Sequence, residues 1–276
     1  MLASLTLALL VICRTATASN PRSANISSAV SNITSLLSLP FLYVIFRKED
    51  QLNSDYLEIN PNGVVPTLLH DGEVIVDSSC ILEYLEDAFP ETPLSPTDAV
   101  GKAKMRAWLR FMEEVPTSAI RTPSFEQIFL PTLRLVGGKK SFDKASDKRT
   151  LRKGFYKKMN SGSGFSEREI ENSTSQLAST VARMNTALSQ HPWLLGDKLS
   201  LVDISLAPLI DRMQDLGLGY LWKNHPNVDR WLSSIQLMPS FQEAFYKGSR
   251  LSQRFEFKLA MRSARKQNRV NSGKGT

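Results

Sequence analysis

Cysteine and histidine are scarce in this chain of 276 residues. It has two cysteines, Cys13 and Cys80, and three histidines that lie far apart in the sequence. Two distant cysteines provide neither a disulfide framework nor the ligand spacing of a zinc site, and scattered histidines form no metal-binding cluster. The sequence therefore predicts a protein that binds no metal and has no stabilising disulfide.

A long apolar run is also missing. Leu2–Cys13 is almost wholly apolar, but it is shorter than the roughly 20 residues that a membrane-spanning helix needs. It is followed by Arg14 and several small residues, in the manner of a signal peptide, although a basic segment before the apolar run is absent. We expect no stable membrane span.

Acidic residues are absent before Glu49, and residues 19–38 are rich in serine, a composition typical of transit peptides. Two interpretations of residues 1–38 stay open. They are a targeting peptide, or they are a divergent first strand–helix unit of the fold. The first implies secretory or organelle targeting through residues 1–18; otherwise we expect a cytoplasmic protein.

The net charge of +7 is unevenly distributed. Residues 134–158 contain ten Lys or Arg against two Asp, and residues 258–276 contain six against none. No nucleic-acid-binding motif accompanies either segment. We interpret the first as a solvated loop and the second as a disordered basic tail, and expect no nucleic-acid partner.

Residues 60–79, NPNGVVPTLLHDGEVIVDSS, predict a hairpin followed by a helix. Pro66 has no N–H and therefore marks the start of a strand. Asp71-Gly72 is typical of a two-residue hairpin turn, and Val74–Val76 is the returning strand. Asp77-Ser78-Ser79 then supplies helix-capping side chains, followed by apolar residues at helical spacing.

The sequence after this helix is predicted to be helical. Residues 91–98, ETPLSPTD, form a proline-bearing linker and the best domain boundary. Residues 137–165 are basic, contain Gly and Ser, and are predicted to be rich in loops. A helix is expected from about Glu167 to Leu188. The clearest helix start is Ser200-x-x-Asp203, where each side chain can cap the backbone N–H of the other.

Four motifs in order resemble those of cytosolic-type glutathione transferases: Asn60-Pro61-x-Gly63, Val65-Pro66-Thr67-Leu68, Asp77-Ser78 and the Ser200-x-x-Asp203 cap. The resemblance covers roughly residues 39–250. VPTSAIRTPSFEQIFLP is more loosely similar to bacterial-type members near the β-etherases and dehalogenases. An α+β fold is implied, with a thioredoxin-like α/β domain at 39–92 and an all-α helical-bundle domain at 99–257.

The resemblance also implies a glutathione site. In the family, the proline that matches Pro66 is cis, which turns the backbone N–H and C=O of the residue matching Val65 toward the cysteinyl part of glutathione. Asp77 would hold the γ-glutamyl ammonium. Ser78, at the positive end of its helix, would hold the γ-glutamyl carboxylate. The implied glutathione-binding residues are Val65, Pro66, Asp77 and Ser78.

Family members stabilise the glutathione thiolate with a Ser, Tyr, Cys or Asn in the loop after the first strand. A hydrogen bond to the sulfur favours its charged form. That loop should fall within Asn20–Ser27, where Ser27, Ser23 and Asn25 are the catalytic candidates. Cys80 is interpreted as a small core residue and not as a nucleophile.

The leading hypothesis is an enzyme in which the glutathione thiolate attacks a small apolar electrophile, by conjugation, ether cleavage or dehalogenation. The resemblance implies glutathione as cosubstrate, a role in detoxification and a homodimer. The alternative is a non-catalytic glutathione-transferase-like binding or interaction module with an eroded first strand–helix unit.

Overall fold

The computed structural model describes residues 52–91, 93–131, 151, 153–160, 164–246 and 249–253. The elements follow in this order: α1 (Ser54–Ile59), β1 (Thr67–His70), β2 (Glu73–Val76), α2 (Ser78–Ala88), α3 (Ala99–Glu114), α4 (Pro116–Ala119), α5 (Arg121–Ser124), a π-helix (Phe125–Phe129), α6 (Lys153–Asn160), α7 (Glu167–Ala187), α8 (Leu201–Asp215), a 3₁₀ helix (Leu218–Trp222), α9 (Pro226–Gln236), α10 (Pro239–Ala244) and a 3₁₀ helix (Leu251–Gln253).

Strands β1 and β2 form the predicted antiparallel hairpin. Thr67 lies opposite Val76, and His70 lies opposite Glu73. Asp71 and Gly72, between the strands, have φ values of 50° and 84°. Both lie in the left-handed region that a type I′ turn requires, so the turn prediction is confirmed.

Helix α2 packs against the hairpin because its apolar residues recur at helical spacing. Ile81, Leu82 and Leu85 are buried, and they share one core with Leu68 of β1. The helix ends before Phe89, whose N–H donates to Leu85 O at 3.0 Å. The strand–turn–strand–helix order predicted for residues 60–89 is therefore confirmed.

The linker is bonded to both domains. Glu86 of α2 accepts hydrogen bonds from the N–H groups of Leu94 and Ser95, at 2.7 and 3.2 Å. The carbonyl of Leu94 accepts from the N–H of Leu201, the first residue of α8, at 3.1 Å. Burial raises the pKa of Glu86, an effect that these two backbone hydrogen bonds oppose.

Helix α8 runs through the middle of the helical domain, and residues on all its sides are buried, among them Leu206, Ile210 and Met213, each 0% exposed. A helix that is buried all round belongs to the core of its domain. Trp231 of α9 is also fully buried in this core. Together these helices form the predicted all-α second domain.

Two helices of this domain, α7 and α8, begin with a capping box. At α8, the Asp203 carboxylate accepts from the Ser200 N–H at 2.9 Å and from the Ser200 hydroxyl at 2.7 Å, so the predicted box is confirmed. At α7, Glu169 accepts in the same way from Ser166. The sequence carried this second signal too, as Ser166-x-x-Glu169.

The expectation that residues 137–165 are rich in loops is wrong for 153–160, which form α6. The helix is stabilised by aromatic contacts. The Phe155 ring meets the Phe125 ring of the π-helix edge-on, at 4.9 Å between ring centres. It also contacts the Phe165 ring in a tilted arrangement, at 5.6 Å between ring centres. These rings, with Tyr156 and Phe129, form a small second core. Burial of the aromatics outweighs a basic, Gly-containing composition.

In the part of the chain that the structure describes, no helix combines the length and the apolar character needed to cross a bilayer.

Candidate functional site

The predicted ligand-binding residues lie at one end of the hairpin. Val65 and Pro66 come directly before Thr67, and Asp77 and Ser78 come directly after Val76. Because Thr67 and Val76 are cross-strand partners, the two pairs of residues are brought side by side. Residues ten or more positions apart in sequence thus share one site.

At this candidate site, the groups of interest on Val65 are its backbone N–H and C=O. The Val65–Pro66 peptide bond is cis, as the family resemblance implies. Val65 is 9% exposed, and neither its N–H nor its C=O has a hydrogen-bond partner among the described residues. Buried backbone groups are nearly always paired, so this N–H and C=O are well placed to meet an extended peptide-like ligand.

Asp77 is the N-cap of α2. Its Oδ1 atom accepts from the N–H groups of Ser79 and Cys80, at 2.9 and 3.3 Å. Both capping bonds end on the same oxygen, so the cap does not require Oδ2. The side chain is exposed, and the backbone has φ 75° and ψ 131°, a region rarely occupied except by glycine. Such strain is concentrated at functional sites.

Ser78 is the first residue of α2 and is 7% exposed. Neither its hydroxyl nor its backbone N–H has a hydrogen-bond partner among the described residues. Free N–H groups and the positive end of the helix dipole favour an anion at this position. Ser78 therefore offers two donors to a carboxylate, directly beside the carboxylate of Asp77.

Cys80 is exposed, which corrects its interpretation as a core residue. It follows Ser79 on the outer side of α2, whereas Ile81 and Leu82 take the inner side. Partial burial of the thiol and the nearby carboxylates of Asp77, Glu83 and Glu113 raise its pKa. The thiol is thus protonated at neutral pH, and a role as nucleophile is disfavoured.

Sequence reasoning missed two side chains at the site. Tyr56 of α1 and Asn60, which follows α1, both bond to the carbonyl of Val64. The sequence shows Asn60 only as part of the family-like Asn60-Pro61-x-Gly63 motif, without a role for its side chain, and the six-residue helix α1 is too short to give a periodic signal. The catalytic candidates Ser23, Asn25 and Ser27 lie outside the described residues.

Two family models match the sequence. The N-terminal domain of glutathione S-transferases matches residues 23–93, and the C-terminal domain of the same family matches residues 167–233. The first match includes the hairpin and α2, and the second includes α7, the Ser200–Asp203 box and most of α9. Together they cover half of the chain.

Individual proteins are also similar. Protein LigF of Sphingobium sp. strain SYK-6 is 27% identical over 74% of this chain and 81% of its own length. A stringent starvation protein A homologue of Pasteurella multocida is 25% identical over 70% of this chain and 73% of its own. Glutathione S-transferase GstB of Escherichia coli is 23% identical over 75% of this chain and 86% of its own length.

The fold agrees with these matches. The crystal structure of the β-etherase LigF superimposes with a TM-score of 0.65, covering 74% of this chain and 86% of LigF. Glutathione transferase F7 of Populus trichocarpa superimposes with a TM-score of 0.61 at 16% identity, which shows a shared fold. With a thioredoxin-like first domain and an all-helical second domain, the chain belongs to the glutathione S-transferase family.

Proposed function

We propose that this protein is a glutathione transferase that binds glutathione at Val65, Pro66, Asp77 and Ser78. The observation that carries the proposal is a set of polar groups at one end of the hairpin that have no hydrogen-bond partner among the described residues: the N–H and C=O of Val65, and the N–H and hydroxyl of Ser78. Together they supply three donors and one carbonyl acceptor, and Ser78 directly follows Asp77, which supplies a carboxylate.

This set complements glutathione group by group. The Val65 backbone pairs with the cysteinyl unit as one strand pairs with another. The two Ser78 donors hold the γ-glutamyl carboxylate, helped by the helix dipole. The exposed Asp77 carboxylate holds the γ-glutamyl ammonium through a charge-assisted hydrogen bond. A zwitterion is thus held at both of its charges by neighbouring residues.

The chemical step in this proposal is attack by the thiolate of glutathione on an electrophilic carbon of a small apolar compound. A carbon–sulfur bond forms, and the electron pair of the bond that breaks leaves with an alkoxide or a halide, or stays on the acceptor when the attack is an addition. The protein lowers the pKa of the bound thiol and holds it near the acceptor. Ser27, Ser23 and Asn25 are the proposed thiolate-stabilising residues. The N-terminal family match begins at residue 23 and includes all three, which supports a divergent strand–helix unit for at least residues 23–38.

Conjugation, ether cleavage and dehalogenation all begin with this attack, and the proposal includes each of them. Similarity to a β-etherase, at 27% identity, favours ether cleavage as the first reaction to assay. Assembly as a homodimer, a role in detoxification and a cytoplasmic location also belong to the proposal, on the support of family membership.

Calorimetric titration with glutathione tests the binding half of the proposal. We expect saturable binding at one site per chain, and its absence would refute the proposed site. The catalytic half is tested by following the ultraviolet absorbance of the bound thiolate against pH. We expect the pKa of bound glutathione to lie below that of free glutathione.

A second candidate is a glutathione-binding module without turnover. It is favoured by the similarity to stringent starvation protein A homologues, which are 25–26% identical to the chain and are not named as transferases. This candidate predicts glutathione binding with an unshifted thiol pKa, so the same pH titration separates the two.

A further inference from the structure

Two side chains hold the backbone on both sides of Val65 and Pro66. Before this pair, the carbonyl of Val64 accepts from the Tyr56 hydroxyl at 2.7 Å and from Asn60 Nδ2 at 2.9 Å. After it, Thr67 Oγ1 lies 2.9 Å from the Tyr56 hydroxyl and 2.9 Å from Asn60 Nδ2. The side chains of Tyr56 and Asn60 thereby link the backbone carbonyl of Val64 to the hydroxyl of Thr67.

The number of protons on the Tyr56, Thr67 and Asn60 side chains fixes which group donates in each of these hydrogen bonds. The Tyr56 hydroxyl has one proton, and a carbonyl can only accept, so this proton goes to Val64. The Thr67 hydroxyl proton must then go to the Tyr56 oxygen. The Asn60 amide uses its two protons for the Val64 carbonyl and the Thr67 oxygen. The four groups form a closed ring of hydrogen bonds, called the Tyr56–Asn60 ring below.

The ring is anchored to a rigid turn. Asn60 is 0% exposed, and its Oδ1 atom accepts from the N–H of Asn62 at 3.1 Å. Its carbonyl accepts from the N–H of Gly63 at 3.0 Å, and Gly63 has φ 60°. These hydrogen bonds thus occupy both oxygens and both side-chain amide protons of Asn60. A closed and fully bonded network of this kind permits little rotation of the backbone it holds.

We propose that Tyr56, Asn60 and Thr67 are positioning residues for glutathione, because their ring fixes the orientation of the Val65 N–H and C=O. This inference rests on the proposed function. None of the three side chains is among the proposed ligand-binding groups. They act by holding the Val65 N–H and C=O, which have no partner among the described residues, in the binding orientation before the ligand arrives, and this lowers the ordering cost of binding.

The test compares three single-hydroxyl deletions in the full-length protein. Tyr56→Phe and Thr67→Val each remove one hydroxyl of the ring. Tyr84→Phe is the matched control, because the Tyr84 hydroxyl bonds to His70 Nδ1 at 2.6 Å at the opposite end of the hairpin. Each variant is titrated with glutathione by calorimetry and unfolded with urea.

We expect Tyr56→Phe and Thr67→Val to weaken glutathione binding about three- to tenfold, the size expected for a lost hydrogen bond. Tyr84→Phe should lower the urea midpoint about as much as the two ring variants lower it, and it should leave the affinity for glutathione unchanged. A second readout is amide hydrogen exchange at Val65. Exchange in the unliganded protein should be faster in both ring variants and unaltered in Tyr84→Phe.

The outcomes separate this inference from the proposed function. Wild-type affinity in both ring variants would overturn the inference while the glutathione site stands. Equal weakening by all three variants would also overturn it, because the effect would then follow general stability. A wild-type protein that does not bind glutathione would overturn the proposed function and the inference together.

Discussion

At the residue scale, Asp77 combines two roles in one carboxylate. It caps α2 through Oδ1, and in the proposed site it pairs with the ligand ammonium. The two roles differ in what they require. Capping needs only an oxygen acceptor, which asparagine also has, whereas pairing with an ammonium needs the negative charge.

Asp77→Asn therefore separates the roles. Asparagine caps about as well as aspartate and is among the residues that best tolerate positive φ, so we expect near-normal stability. The affinity for glutathione should fall at least tenfold, or about 1.4 kcal/mol. Calorimetric titration and thermal unfolding of the same preparation measure both effects.

Asp98 provides the control. It caps α3 by accepting from the N–H of Gly101 at 2.8 Å, away from the hairpin end where the site lies. Asp98→Asn should change neither stability nor affinity by more than a few tenths of a kcal/mol. Wild-type affinity in Asp77→Asn would reduce Asp77 to a helix cap.

The same carboxylate affects the chemistry of Cys80. Partial burial and the charges of Asp77, Glu83 and Glu113 raise the pKa of this thiol from its ordinary value of 9.0. A raised pKa means less thiolate at any pH below it, and only the thiolate reacts with alkylating agents. We therefore expect slow alkylation of Cys80 by iodoacetamide at pH 8, with a rate still rising above pH 9.

Asp77→Asn should speed this alkylation, because it removes one of the charges that raise the pKa. The measurement uses a Cys13→Ser background, in which Cys80 is the one remaining cysteine. Glu73→Gln is the control, since Glu73 lies on the hairpin but is not among the carboxylates that raise the pKa of Cys80. Equal rates in Asp77→Asn and the background would contradict this account.

At the element scale, the capping box of α8 does more than cap a helix. Asp203 is 0% exposed, and besides Ser200 it accepts from the N–H of Leu194 at 3.0 Å and from the indole N–H of Trp231 at 2.8 Å. Burial raises the pKa of Asp203, and these four hydrogen bonds oppose the rise. One carboxylate thus joins the start of α8, the loop before it and α9.

Removing Ser200 and removing Asp203 should therefore lower the free energy of unfolding by different amounts. Ser200→Ala loses one capping group, and we expect a loss of about 1–2 kcal/mol in the free energy of unfolding. Asp203→Ala leaves two buried N–H groups, those of Leu194 and Trp231, without an acceptor. We expect a loss of roughly 3 kcal/mol or more. Urea denaturation measures both.

Ser166 of α7 serves as the exposed counterpart, because its box has the same hydrogen bonds but lies in solvent. Ser166→Ala should cost less than Ser200→Ala, at the lower end of the range for a lost cap. If Asp203→Ala were no more destabilising than Ser200→Ala, the hydrogen bonds from Leu194 and Trp231 to Asp203 would not contribute to the free energy of unfolding.

At the scale of the whole molecule, the C-terminal segment is attached to the central helix by charges. Arg250 donates to both carboxylate oxygens of Asp211 on α8, at 2.9 and 2.7 Å. Ser252 bonds to Asp215 one turn later. The Asp211 side chain is 2% exposed and that of Arg250 is 25% exposed. The pair is therefore screened from solvent on the aspartate side.

Arg250→Gln should destabilise the protein by about 2 kcal/mol. Removing one member of a buried pair strands the other charge, which costs roughly 3–5 kcal/mol when both are buried, and the partial exposure of Arg250 reduces this. The control is Arg106→Gln, which breaks an exposed pair with Glu83 and should cost about 0–1 kcal/mol. Equal midpoints for the two variants in urea would show that Asp211 is not stranded.

The sequence alone determined the local elements. The hairpin turn at Asp71-Gly72, the cap at Asp77 and the box at Ser200-x-x-Asp203 were all predictable. In each, the deciding interactions lie within a few residues and depend on side-chain chemistry that the sequence states directly. The proposed ligand-binding pairs Val65-Pro66 and Asp77-Ser78 follow from the family resemblance of the motifs that contain them and from the order of those motifs along the chain.

Tertiary structure decided which distant residues meet. Helix α6 forms because Phe155 packs against Phe125, although α6 belongs to a basic segment whose composition predicts a loop. Cys80 is exposed because the core lies on the opposite side of its helix. The Tyr56–Asn60 ring and the unpaired groups of Val65 exist only once α1, the turn and β1 are packed together. Such contacts depend on how separate elements pack against one another, and no pattern within a single element specifies them.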